Sequence, residues 1–240
     1  MALLVSAIFA PSWHWHHRKT QHTVEPLGFS ADNPGHQPVP LIIDTDMGGG
    51  ACHDVDDVVA VCMANALADR GEIELLAVVV DTLPANGVGV VSVLNHYYGR
   101  DAVPIGAYRG GELKYNYTQH YVNKLVNEWP SPVKSASQVP DSVDVYRRTL
   151  AAQPDHSVAI ASIGSLNNIA DLMRSQPDVH SPLPGHDLLA QKVKQLSIMG
   201  GQYPSSAKWG WCECNFCASR AGVPTPDHVA ASQTAAFVTS

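Results

Sequence analysis

The sequence predicts an α/β fold in which a mostly parallel sheet is flanked by helices. The chain has 240 residues, 45% of them hydrophobic and 15% charged, so it is long enough to bury a sizeable core. Short apolar runs alternate along it with segments of helical periodicity. This alternation is typical of right-handed βαβ units, which build parallel sheets.

The first half of the domain contains three predicted strands and two predicted helices. The run at residues 73–80 is apolar without a break, which is typical of a strand covered on both faces in a parallel sheet. A helical stripe of apolar residues in segment 55–69 ends before Gly71. In chain order we predict strand 41–43, helix 55–69, strand 73–80, helix 88–98 and strand 103–107.

Residues 110–140 are rich in Tyr, Asn, Ser and Pro and have weaker periodicity. We interpret them as an insertion or a lid over the site, because such loops often select substrates. Asp141 or Ser142 would cap the helix that follows. The remaining predictions are helix 141–152, strand 158–163, helix 165–174 and strand 193–199.

Residues 1–39 are predicted to be a leader and residues 40–240 a single domain. Residues 1–10 resemble the apolar core of a secretory signal, but no Lys or Arg precedes that run. A cleaved signal and a disordered leader both stay open, and so do a cytoplasmic and a secreted location. The His-rich tract at residues 13–17 is interpreted as a solvated tail, although such tracts also bind metals.

Charge and hydropathy exclude two classes of partner. The net charge of −7 argues against nucleic acid, because phosphate binding needs a basic surface. No apolar run after the N-terminus is long enough for a transmembrane helix, so we expect no membrane partner. A homo-oligomer is compatible with the sequence, but no pattern in it decides the oligomeric state.

Five carboxylates lie where the first strand ends and the first helix begins: Asp44, Asp46, Asp54, Asp56 and Asp57. They repel one another unless a cation lies among them, and calcium and magnesium prefer carboxylate and carbonyl oxygens. Alternatively, Asp56 and Asp57 only complement the macrodipole at a helix N-terminus. That alternative leaves Asp44 and Asp46 unexplained, and strand ends in open α/β sheets face the ligand crevice. We therefore favour a metal or catalytic site.

Polar residues also follow the other predicted strands. Asp81 and Asn86 follow strand 73–80; Gly164, Ser165, Asn167 and Asn168 follow strand 158–163; Met199, Glu213 and Asn215 follow strand 193–199. Carboxylates beside carboxamides, without a basic cluster, suit a ligand rich in hydroxyl groups, such as a sugar. The glycines at 48–50 lack the Lys-Ser/Thr ending of a P-loop, and no nucleophile elbow is present.

Four motifs follow one another along the chain. They are residues 44–48 (DTDMG) with residues 56–57 (DD), Asn86 with Asn95, residues 160–170 (IASIGSLNNIA), and residues 199–201 (MGG) with residues 213–216 (ECNF). In content and order they resemble the D-x-D-x-G-x-D-D opening, the G-N segment, the ATGPLTNIA stretch and the M-G-G…E-F-N-F pair of the inosine/uridine-preferring nucleoside hydrolases. The resemblance extends over about residues 40–217.

This resemblance implies a Rossmann-like α/β domain that holds one calcium ion and hydrolyses the N-glycosidic bond of ribonucleosides to ribose and free base. Asp46 would ligate calcium and activate the attacking water as the general base. Asp57 would also ligate calcium, and Ile163 would offer its backbone carbonyl. The residues implied in binding the ribonucleoside are Asp56, Asn86, Met199, Glu213 and Asn215.

The chain departs from the family's pattern in three places. Residues 49–55 are inserted where the motif has one residue, so Asp54 is an alternative to Asp56 or Asp57. Ala207 stands where a further ribose-contacting Asn is expected. The family's late segment, with a His and the final calcium-ligating Asp, has no counterpart. We therefore expect a chain truncated at its C-terminus, with the last strand or strands missing.

Two other functions stay open. A truncated, non-catalytic relative that binds ribose or metal would show ligand-induced stabilisation without turnover. A haloacid-dehalogenase-like phosphatase also has D-x-D at a strand end, but nothing downstream supplies the Lys and Ser/Thr that its chemistry needs. The sequence does not decide whether a nucleoside with a purine or a pyrimidine base is preferred.

Overall fold

The computed structural model describes residues 37–48, 55–82, 87–110, 120–200, 214–217 and 226–240. All of them lie in one compact unit, residues 34–240. The predicted leader, residues 1–39, falls almost wholly outside the described residues, so its nature stays a prediction. Of the predicted insertion, residues 49–55, all but Val55 also lie outside them, and so does Asp54.

The described residues contain a five-stranded sheet in which every pair of neighbouring strands is parallel. The strands are β1 (Val39–Thr45), β2 (Ile73–Val80), β3 (Ile105–Ala107), β4 (Val158–Ser162) and β5 (Val193–Ile198). Their order across the sheet is β3-β2-β1-β4-β5. The predicted α/β fold with a parallel sheet is therefore confirmed.

The helices of the described residues are α1 (Asp56–Asp69), α2 (Gly87–Tyr97), α3 (His120–Glu128), α4 (Ser142–Ala151), α5 (Asn167–Arg174), α6 (Gly185–Lys192), α7 (Cys214–Cys217) and α8 (Pro226–Thr239), with a 3₁₀ turn at Ala136–Gln138. Asp141 caps α4, because its side chain accepts a hydrogen bond from the Val143 backbone N–H at 2.8 Å. Among these helices, none is both long enough and apolar enough to cross a membrane.

Several elements differ from the sequence-based expectation. The predicted insertion at 110–140 contains α3 and the 3₁₀ turn, although residues 111–119 lie outside the described part. The sequence does not predict α6 or α8, because α6 is only eight residues long and the apolar residues of α8 form no single stripe. Strand β3 begins at Ile105 instead of Val103, since Pro104 has no N–H to give to the sheet.

Both faces of the sheet are covered, which explains the unbroken apolar run of β2. Val78 and Val80 pack on one face with buried residues of α1, α2 and α3. Ala77 and Val79 pack on the other face with residues of α4, α5, α6 and α8. Successive side chains of a strand point to opposite faces, so a strand between two helical layers must be apolar at every position.

The strand order places a topological switch point between β1 and β4. The chain proceeds from β1 outward through β2 to β3, and then returns to the other side of β1 to form β4 and β5. In open α/β sheets, the crevice at the carboxyl ends of the two strands beside such a point is where ligands bind. The residues that follow β1 and β4 are thus the first place to look for a site.

A buried arginine ties α4 to the segment between α5 and α6. The Arg147 side chain is 2% exposed, and its guanidinium donates to both Asp178 carboxylate oxygens at 2.7 and 3.0 Å. It also donates to the Ser175 hydroxyl and to the carbonyls of Ser181 and Leu183 at 2.9–3.1 Å. The hydrogen bonds from Arg147 to the Asp178 carboxylate, with those from the Ser181 and His180 backbone N–H groups, lower the pKa of Asp178 to about 2.

Candidate active site

Asp44, the last residue but one of β1, connects the strand to two helices. The Tyr146 hydroxyl of α4 donates to its Oδ2 and the Asn168 amide of α5 to its Oδ1, each at 2.9 Å. Burial raises the pKa of Asp44 to about 7, although both hydrogen bonds act to lower it. Since each oxygen of the side chain already accepts a hydrogen bond, Asp44 connects β1 with α4 and α5.

Asp46 and Asp57 form a contacting pair of buried carboxyl groups just beyond the end of β1. The two side chains lie within hydrogen-bonding reach of each other, and the Thr45 hydroxyl donates to Asp57 Oδ1. Burial, followed by the charge of Asp57, raises the pKa of Asp46 well above its ordinary value, and burial also raises the pKa of Asp57. Ionised carboxylates only accept hydrogen bonds, so this contact requires a shared proton or a cation.

Asp56 and Asp57 occupy the first turn of α1 but do different things there. The Asp56 side chain is half-buried and accepts a hydrogen bond from the Asp57 backbone N–H at 3.1 Å. This is the helix N-terminal role that the sequence left open for both residues. The Asp57 side chain instead turns inward to Asp46 and Thr45, so of these two residues only Asp57 contacts the pair of buried carboxyl groups.

A fourth carboxylate, Asp81, joins the cluster from the end of β2. Its side chain is fully buried, and neither carboxylate oxygen has a hydrogen bond of normal geometry. The nearby backbone N–H of Ser165 only partly offsets burial and the charges of Asp44 and Asp57, so the pKa of Asp81 lies well above its ordinary value. The sequence placed Asp81 at a strand end but gave it no role.

Gly164, directly beyond β4, lets β1, β2 and β4 approach one another at the site. A Cβ at this position would lie 2.2 Å from Asp81 Oδ2 and 2.5 Å from the Asp46 backbone nitrogen. The two atoms are therefore at most 4.7 Å apart, the sum of these two distances. No side chain fits in that space, which explains the glycine in this position.

Asn215 of α7 connects the ends of β4 and β5. Its amide donates to the backbone carbonyls of Ile163 and Met199, each at 2.9 Å. The structure thus brings together three of the residues expected in the site, with Met199 45% exposed beside the crevice. Asn86 and Glu213 lie outside the described residues, so their positions stay predictions.

The donors around Asp46 match a hard cation in chemistry. Within the described residues, no group of three or more His, Cys, Asp or Glu side chains already has the arrangement of a metal site. However, three buried carboxylates (Asp46, Asp57 and Asp81) have raised pKa values with no basic side chain among the main causes, and Asp81 leaves both oxygens unbonded. Oxygen donors short of positive charge fit calcium or magnesium.

Replacing Gly164 with alanine should damage the site and the fold together. We expect Gly164→Ala to lower the free energy of unfolding by about 2 kcal/mol, because the methyl group meets backbone and a buried carboxylate that cannot move aside. Urea unfolding at pH 7 measures this loss. Gly71→Ala is the comparison for backbone strain without crowding, since Gly71 has φ +70° but nothing within 4 Å of its Cβ position; it should cost about 1 kcal/mol, less than Gly164→Ala. A Gly164→Ala protein as stable as wild type would contradict the packing argument.

Comparison with known proteins identifies the family. The family model described as inosine-uridine preferring nucleoside hydrolase matches residues 41–219, which is most of the chain. The match includes the acidic residues after β1, the strand-end residues after β2 and β4, and Asn215. A search of curated proteins gave no match.

Solved structures with the same fold include two effector proteins and a bacterial nucleoside hydrolase. The type III effector protein XopQ, solved with adenosine diphosphate ribose, is 18% identical, with a TM-score of 0.55 over 84% of this chain and 54% of its own. The effector protein XOO4466 is 19% identical, with a TM-score of 0.51 over 70% and 45%. The inosine-uridine preferring nucleoside hydrolase from Bacillus anthracis is 19% identical, with a TM-score of 0.50 over 68% and 51%.

This chain spans about half the length of these solved structures. At such low identity the likeness is one of fold, and it agrees with the parallel sheet described above. The family assignment rests on the sequence match across residues 41–219. The protein belongs to the inosine-uridine preferring nucleoside hydrolase family.

Proposed function

We propose that the protein hydrolyses the N-glycosidic bond of ribonucleosides, releasing ribose and the free base, with calcium as its cofactor. The observation that supports this most directly is the buried, contacting pair of Asp46 and Asp57 at the switch point of the sheet. A carboxylate held at that point lies at the position where open α/β sheets bind their ligands. Family membership supplies the class of reaction.

In this proposal Asp46 acts as the general base. It follows β1 directly, and its contact with Asp57 fixes its side chain, while the Thr45 hydroxyl fixes Asp57 in turn. Asp46 takes a proton from the attacking water as the water adds to the anomeric carbon of the ribose. The bond from that carbon to the base nitrogen breaks through an oxocarbenium-like transition state, and its electron pair stays on the nitrogen. The departing base takes a proton from solvent, and Asp46 returns to solvent the proton that it took from water.

Calcium would be held by the carboxylates of Asp46 and Asp57 and by the backbone carbonyl of Ile163. The Ile163 carbonyl oxygen already accepts a hydrogen bond from Asn215 at 2.9 Å, and its second lone pair can serve a cation. When bound, calcium supplies positive charge that lowers the pKa of water and orients oxygen ligands. Bound calcium would also reduce the repulsion among these carboxylates, and this favours binding.

The ribose would be bound by residues around the mouth of the crevice. Asp56 lies half-buried at the start of α1, and Met199 would line the pocket from its exposed position after β5. Because the amide nitrogen of Asn215 donates to two backbone carbonyls, Asn215 would contact ribose hydroxyls through its side-chain oxygen. Asn86 and Glu213 complete the proposed set.

The test is release of free base from a panel of purine and pyrimidine ribonucleosides by the purified 240-residue chain. We expect base and ribose in equal amounts, with the rate reduced by a calcium chelator and restored by added calcium. Absence of base release from every nucleoside would contradict the proposal. If ribose or calcium then still raised the melting temperature, the non-catalytic binding alternative would be supported instead.

A further inference from the structure

Asp81 is the one buried carboxylate of the described cluster whose two side-chain oxygens make no hydrogen bond of normal geometry. Its backbone is held at both ends: the N–H donates to the Thr45 carbonyl at 3.0 Å, and the carbonyl accepts from the Asn167 amide at 2.7 Å. Both carboxylate oxygens, by contrast, are fully buried and make no hydrogen bond of normal geometry with a described residue, with only the Ser165 backbone N–H nearby. A buried charged group left unpaired is very costly, so such a group indicates a missing counterpart.

The position of Asp81 identifies where that counterpart belongs. Asp81 Oδ2 lies at most 4.7 Å from the Asp46 backbone nitrogen, as the space around Gly164 requires. The charge of Asp81 acts on Asp46, and the charge of Asp57 acts on Asp81. The unbonded oxygens are therefore on the side of the cluster that contains the Asp46–Asp57 pair.

A shared proton does not explain Asp81 as well as a cation does. A protonated carboxyl group would need an acceptor for its O–H, but neither oxygen makes a hydrogen bond of normal geometry with a described residue. Asp44 makes a useful comparison, since it has the same depth of burial and both its oxygens are bonded, to Tyr146 and Asn168. A cation at the cluster would take both unbonded oxygens of Asp81 as ligands.

We propose that Asp81 is a ligand of the divalent cation, adding one or two carboxylate oxygens to those of Asp46 and Asp57. This inference rests on the proposed function insofar as it places the cation at the same pair. It goes further by naming a ligand from β2, a strand that supplies none of the metal ligands proposed above. The cation would then connect the carboxyl ends of β1 and β2 with the start of α1.

The test measures the coordination directly, using calcium for affinity and terbium(III) for hydration. Calorimetry on the full chain should give a calcium affinity at least about tenfold weaker in Asp81→Asn than in wild type. Luminescence lifetimes of bound terbium in H2O and D2O count its water ligands. That number should rise by about one or two in Asp81→Ala, as water replaces the lost carboxylate oxygens.

The matched control is Asp44→Asn, which removes a buried carboxylate of the same cluster whose oxygens are already bonded. It changes the local charge, so calcium affinity falls, but the hydration number of terbium should equal that of wild type. Thermal unfolding in the presence of a chelator adds a second measurement. Without calcium, the melting temperature of Asp81→Asn should equal or exceed that of wild type, because the substitution removes an unpaired buried charge. Added calcium should raise the melting temperature of Asp81→Asn by less than it raises that of wild type.

Three results would overturn the inference. The first is an unchanged hydration number in Asp81→Ala, and the second is an Asp81→Asn protein that melts lower than wild type or fails to fold in chelator. The third is no binding of either ion by wild type. If Asp46→Asn abolishes calcium binding while both Asp81 variants keep wild-type affinity and hydration, Asp81 is not a ligand. The proposed function would then stand, because base release is measured separately.

Discussion

Asp46→Asn should lower kcat for release of base from a nucleoside by about 10³-fold, with a much smaller change in KM. Asparagine has nearly the same shape but does not accept the proton of the attacking water. A loss of that size corresponds to about 4 kcal/mol of transition-state stabilisation. The measurement is steady-state hydrolysis by wild type and variant at saturating calcium, with the nucleoside on which wild type is fastest.

The control for this prediction is Asp101→Asn. Asp101 is half-exposed, pairs with His96, and precedes β3 at the opposite edge of the sheet from the site. Its replacement removes one negative charge from the chain without touching the cluster, so hydrolysis should stay within about twofold of wild type. An Asp46→Asn protein that keeps a tenth or more of the activity would exclude Asp46 as the base and make another carboxylate of the cluster the first alternative.

The fold could be predicted because its main signals are local. The unbroken apolar run of β2 and the helical stripe of α1 each lie within one segment, and βαβ connectivity then restricts the topology. The rule that the carboxyl ends of parallel strands face a common ligand crevice predicted that Asp46 and the residues after β4 lie at one edge of the sheet. The switch point between β1 and β4 brings the two together, as that rule requires.

The bonding within the site could not be predicted, because it depends on residues far apart in the chain. Asp44 and Asp46 are two positions apart on one strand end, yet Tyr146 and Asn168 bond only the first. Asp56 and Asp57 are adjacent, yet only Asp57 turns to the cluster. No periodicity distinguishes the members of these pairs, since the difference lies in which helix packs over each side chain.

The environment of Asp81 could not be predicted from the sequence either. A single carboxylate after a strand is an ordinary feature of a sequence, and burial with both oxygens unbonded is visible only once β4 and Gly164 lie against it. The buried carboxylates of Asp46, Asp57 and Asp81 therefore repel one another, and a bound cation would reduce that repulsion. Stability and cation binding should be coupled in this protein for that reason.

Arg147→Met should give the largest loss of stability, about 3–5 kcal/mol in the free energy of unfolding at pH 7. The substitution leaves Asp178 without its ion pair and removes the Arg147 donor from the carbonyls of Ser181 and Leu183, of which Ser181 keeps the Asp178 backbone N–H at 3.0 Å. Urea unfolding measures the effect. The double variant Arg147→Met/Asp178→Leu should recover part of the loss, because it removes the charge that the single variant leaves unpaired.

Acid titration distinguishes the ion pair from simple loss of packing around Arg147. The pKa of Asp178 is about 2 in the folded protein, below its ordinary value of 3.8. The pair therefore contributes fully above pH 3.8, and that contribution is lost as the pH falls through about 2. In Arg147→Met the largest cause of the lowered pKa is gone, although the backbone N–H groups of His180 and Ser181 still donate to Asp178, so the stability difference between wild type and variant should narrow between these two values. A constant difference across this range would mean that Arg147 stabilises the fold by packing and by its bonds to backbone carbonyls, and not through Asp178.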